Sequence, residues 1–161
     1  MKKRKGFTMV ELMVVIIIMA ILGLAIIPAL MGSSEKAKYS RAWNDLNALS
    51  NAFTAYYGHE GNLPTISATD GKGLNSAVGS DNLFQSFLGT PLANLKDPWG
   101  EEYQVVGTWT PATGKGHIIV YVKPGTGDSA SASFGTGISV NAKKDPYNDN
   151  MPMAKLIINV N

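Results

Sequence analysis

Cysteine is missing from all 161 residues. That absence excludes disulfides, thiolate metal sites, covalently attached c-type haem and cysteine nucleophiles. Histidine is nearly missing too. His59 lies beside Glu60 in a polar stretch and His117 opens an apolar run, and neither belongs to a catalytic triad or a metal-ligand spacing. No phosphate-binding loop or dinucleotide fingerprint occurs, so the pattern is not that of an enzyme. Charged residues make up only 16% of the chain, and four of the fourteen basic ones are Lys2, Lys3, Arg4 and Lys5. Without those four, ten basic side chains face twelve acidic ones, and bulk charge gives no support for a nucleic-acid site.

Charge vanishes altogether between Leu12 and Met31. About 20 residues of helix, at roughly 1.5 Å each, match a bilayer core. The basic cluster ahead of this run belongs on the cytoplasmic side, so whatever follows Gly32 is expected to be exported. A secretory signal would have a shorter apolar region and an A-x-A-like site, and "ALMGSSEKAK" offers none. A plain anchor does not account for Glu11, because a carboxylate at the edge of hydrocarbon is costly unless it is paired or functional. Were the chain cut after Gly6, Phe7 would carry a new α-amino group four residues before Glu11, which in a helix places both on one face. Farther along, Pro28 has no N–H for the carbonyl of Leu24, and Gly23 lies nearby. A kink or local unwinding is expected there.

Beyond Gly32, Tyr39, Ala42, Trp43, Leu46, Leu49, Phe53, Tyr56 and Tyr57 recur at spacings of three and four, which predicts an amphipathic helix over 33–57, ended by Gly58. Helical spacing makes this row a core stripe rather than an electron-transfer or base-stacking platform. Residues 58–96 are rich in Gly, Ser, Asn and Asp and read as a surface loop with at most short helical turns, one of them at "NLFQSFLG". A turn follows at Asp97, Pro98, Trp99 and Gly100, with Trp99 as its apolar anchor. Strands are expected from Tyr103, at "HIIVYV", at "KLIINV" and, briefly, at "GISV". The fold class is therefore α+β, a long N-terminal helix on a small antiparallel sheet, the sheet region spanning 97–161. Asp128, Asp145 and Asp149, with Asn148 and Asn150, place oxygen donors of the kind calcium accepts in loops, without EF-hand spacing.

A basic leader ending in glycine, then "GFTMVEL", then the apolar run resembles the type IV pilin family. The resemblance implies a leader at 1–6 removed by prepilin peptidase between Gly6 and Phe7, and N-methylation of Phe7. It also implies a transmembrane and filament-core helix at 7–32 and a globular head at 33–161. In this family the glutamate matching Glu11 neutralises a neighbouring subunit's free N-terminus, and filaments tolerate or exploit unwinding near the proline matching Pro28. Homopolymerisation, an inner-membrane assembly platform and an assembly ATPase are implied partners. "DPWGEEY" is similar to the turn before the sheet in major pseudopilins of type II secretion, many of which bind calcium near the C-terminus through a pattern that does not align here. Two branches stay open, a surface pilus and a periplasmic pseudopilus, beside a minor pilin-like anchored adhesin.

Overall fold

The computed structural model describes residues 6–64, 66–79, 81–110, 112–134 and 138–160, with the side chains at 25, 28–31, 67–70 and 158–160 outside the description. The basic residues of the expected leader, 2–5, lie outside it as well. The chain divides into two compact units, Met1–Ala37 and Lys38–Asn161.

Helix α1 (Met9–Glu60) contributes to both. In the first unit its apolar side chains have nothing to cover them: Val10, Leu12, Ile16, Met19 and Leu24 are all exposed. Helical backbone continues through Gly23 and Pro28, so the unwinding offered as one option at Pro28 is absent from this conformation. Among the described residues no helix is long and apolar enough to cross a membrane.

In the second unit the expected stripe divides by depth. Tyr39, Ala42, Leu46, Leu49 and Phe53 are buried, Trp43 and Tyr56 are half-buried, and Tyr57 is exposed. The helix passes Gly58 and stops at Glu60, where Gly61 takes the left-handed φ of 71° that suits glycine at a helix end. The stripe packs on a four-stranded antiparallel sheet of order β1-β2-β3-β7, comprising β1 (Ile66–Gly73), β2 (Gln104–Thr110), β3 (Lys115–Tyr121) and β7 (Ala154–Val160). Strands β4 (Ser129–Ser133), β5 (Ser139–Asp145) and β6 (Met151–Pro152) form a second sheet.

The apolar run "HIIVYV" is uniform because β3 is covered on both faces. Ile118 and Val120 join the core under α1, while Ile119 faces a smaller cluster with Val106, Ala132, Val140 and Ala142. Side chains of alternate residues thus serve two cores.

The segment 58–96 carries the short helical turn expected at Asn82–Leu88, but it also holds a strand where only loop was expected. It holds β1, α2 (Leu74–Val78), α3 (Asn82–Leu88) and a 3-10 turn at Leu92–Asn94. Asp81 caps α3 by accepting from the N–H groups of Leu83 and Phe84 at 3.0 and 3.1 Å.

Candidate functional site

At the head of α1, Thr8 and Glu11 close a reciprocal cap. Thr8 N–H and Thr8 Oγ1 each donate to Glu11 Oε2 at 2.9 Å, and Glu11 N–H donates to Thr8 Oγ1 at 3.3 Å. This is the S/T-x-x-E capping box, which satisfies two otherwise orphaned donors, and the carboxylate also suits the positive end of the helix dipole. Residues 6–8 are not helical, which corrects the expectation that Phe7 and Glu11 share a helical face. Phe7 precedes the cap, almost fully exposed. The sequence carries this signal as T-x-x-E at Thr8 and Glu11. Among the described residues both bonds that Glu11 accepts go to Oε2, which leaves Oε1 for a further donor. Around Gly6 and Gly23 a Cβ would meet nothing within 4 Å, so packing within this chain does not demand glycine at either.

The Asp97–Gly100 turn is tightly made. Asp97 is buried, and its Oδ1 accepts from the N–H groups of Trp99 and Glu101, both at 2.9 Å. Its own N–H donates to the Glu101 carbonyl at 2.9 Å, and Gly100 adopts φ 92°. Trp99 is half-buried, edge-on to Tyr39 with 4.9 Å between ring centroids. Pro98 fixes the turn's second position. Past the turn, buried Tyr103 donates its hydroxyl to Asp45 Oδ2 at 2.8 Å, and burial first, then that bond, pushes its phenol well above the usual range.

Two of the three candidate calcium ligands, Asp128 and Asp145, have partners within the chain. Asp128 receives the Lys143 ammonium. Asp145 accepts from Trp43 Nε1 at 2.7 Å and from Tyr147 N–H at 2.9 Å. Asp149, with Asn150, takes positive φ in the turn between β5 and β6, the left-handed pair that Asp and Asn tolerate best. Among the described residues no group of three or more acidic or histidine side chains could hold a metal ion. His59 Nδ1 lies 2.8 Å from Glu60 Oε1 on the surface, while His117 Nε2 and Trp109 Nε1 are buried without a hydrogen-bond partner among the described residues. Nothing in this set resembles a nucleophile with its base.

Comparison with known proteins covers most of the chain. Residues 1–27 match the prokaryotic N-terminal methylation motif, and residues 29–123 match type II secretion system (T2SS), protein G. Among curated relatives, the type II secretion system core protein G of Vibrio cholerae serotype O1 is 34% identical over 142 residues, covering 86% of this chain and 92% of the relative. The protein of the same name from Escherichia coli K12 is 36% identical over 115 residues, 65% of this chain and 72% of its own length. That of Klebsiella pneumoniae is 32% identical over 111 residues, 66% and 76% respectively. No solved structure matches with significance. The secretion match stops at residue 123, before β4 and before all three of the aspartates discussed above.

Proposed function

Since this chain belongs to the type II secretion system protein G family, we propose that it is the subunit from which a periplasmic pseudopilus is built. Membership of that family supports the pseudopilus branch over the surface pilus. Prepilin peptidase cuts between Gly6 and Phe7 and methylates Phe7; residues 7–32 anchor the subunit in the inner membrane with the head exported. An assembly platform and its ATPase then draw the subunits into a homopolymer.

What supports this most is the combination at the start of α1: a carboxylate held in the first turn of a helix whose described apolar side chains are exposed along its first half. Left in lipid, Glu11 is costly. In a bundle of like helices, the exposed side chains cover one another and Glu11 Oε1 accepts a neighbour's Phe7 ammonium. Two opposite charges in a poorly hydrated bundle stabilise the stagger that joins them, while either alone opposes assembly. Glu11→Gln retains the shape and a carbonyl acceptor for Thr8, and removes the charge. Processed subunit in the membrane should stay at its normal level, with Phe7 as the N-terminal residue by mass analysis, while filament falls by about tenfold or more, the effect of some 1.4 kcal/mol per added subunit. Normal filament from Glu11→Gln would remove the pairing from the mechanism; Met1 retained in assembled material would remove the processing.

A further inference from the structure

We infer that the Lys143 ammonium is the cation around which the C-terminal part of the head is organised, so that the head needs no divalent metal. This goes beyond the assembly reading and stands whether or not the chain forms a pseudopilus.

Lys143 lies in β5 where the two sheets join. Its N–H donates to the Val122 carbonyl at 2.9 Å, and its carbonyl accepts from Met153 N–H at 2.9 Å, which ties β5 to the chain just after β3 and just before β7. The side chain is buried, only 11% exposed, and its ammonium meets Asp128 at the entrance to β4 while lying 4.5 Å from the centroid of the Trp99 ring. Asp128 is held to the same strand a second time, through its carbonyl, by Lys144 N–H at 3.2 Å. One ammonium thus joins three separate pieces of chain: the Asp97–Gly100 turn, the approach to β4, and β5. A buried lysine is costly unless its charge is met, and a carboxylate with an aromatic face meets it.

Lys143 lines a cleft with Asp97, Trp99, Glu101 and Lys123, and the two anions there are already matched. Asp97 spends Oδ1 on two backbone N–H groups, and Glu101 Oε2 accepts from Lys123 Nζ at 3.2 Å. A divalent ion entering here would meet two ammonium groups, Lys123 and Lys143, and would have to displace one from its carboxylate. Repulsion and lost pairing both oppose it.

Thermal unfolding of the full chain in detergent, followed by circular dichroism in calcium chloride and in EGTA, tests the metal question without any substitution. The expected Tm values agree to within about 1 °C; a calcium-dependent rise of several degrees, the signature of a ligand that binds only the folded state, would overturn the inference. Lys143→Gln, Asp128→Asn and the double variant test the pair. Lys143→Gln should lower Tm by roughly 5 °C or more, and the double variant should fall well short of the two single losses combined. Losses that simply add would show that the ammonium does not organise this region through Asp128. Should Lys143→Gln fail to fold, the calcium and EGTA comparison on the unaltered chain still decides.

Discussion

Two tryptophans show how far residue type alone can mislead about depth. Trp99, in a turn whose sequence marks it as an anchor, is half-buried, whereas Trp109, in β2, is 1% exposed. Position in the fold sets the cost of losing each. Trp99→Ala should destabilise the head by roughly 2 kcal/mol, losing the Tyr39 edge contact and the face over Lys143, and Trp109→Ala by roughly 3–5 kcal/mol, the range for an emptied aromatic site. Urea denaturation gives both values, and the opposite order would contradict the burial described. The carboxylates carry the same lesson. Asp128, Asp145 and Asp149 have the right atoms for calcium, but whether such atoms converge depends on pairings made across 15 residues for Asp128 with Lys143 and 102 for Trp43 with Asp145. No local pattern encodes that. The Thr8–Glu11 cap spans three residues, and it was legible as a motif.

At the scale of elements, the strands that carry large apolar residues were readable and those that do not were missed. β3 and β7 announce themselves as "HIIVYV" and "KLIINV". β4 is "SASAS" and most of β1 is "SATDGKG", compositions that favour turns. They are strands because a neighbour's edge supplies their hydrogen bonds, β5 for β4 and β2 for β1; tertiary pairing overrides propensity. Between β2 and β3 the backbones approach so closely that a Cβ on Gly107 would lie 2.2 Å from the His117 carbonyl oxygen, at φ 136°. Gly116 faces Thr108 in the same way, at 2.0 Å. Gly107→Ala should therefore cost roughly 2–3 kcal/mol or more, since both the strained φ and the clash with backbone must be relieved. An unchanged urea midpoint would show that the hairpin yields without penalty.

At the scale of the whole molecule, the two compact units differ in what they need. Lys38–Asn161 holds two apolar clusters of its own, so a chain beginning at Lys38 should fold and melt cooperatively by circular dichroism. A chain lacking cooperative melting would show that the N-terminal unit is required for the head. Residues 1–37 contain no buried apolar side chain among those described. Maturation of such a molecule requires a scissile bond that an enzyme can reach. In a helix, the Gly6 carbonyl would be engaged by an amide four residues on, and the peptide would be coiled against its own neighbours. Because Thr8 and Glu11 end the helix where they do, the Gly6–Phe7 bond lies in exposed, non-helical chain, the form in which proteolytic cleavage is easiest. The pair that starts the helix thereby also leaves the Gly6–Phe7 bond, the cut site proposed above, outside it.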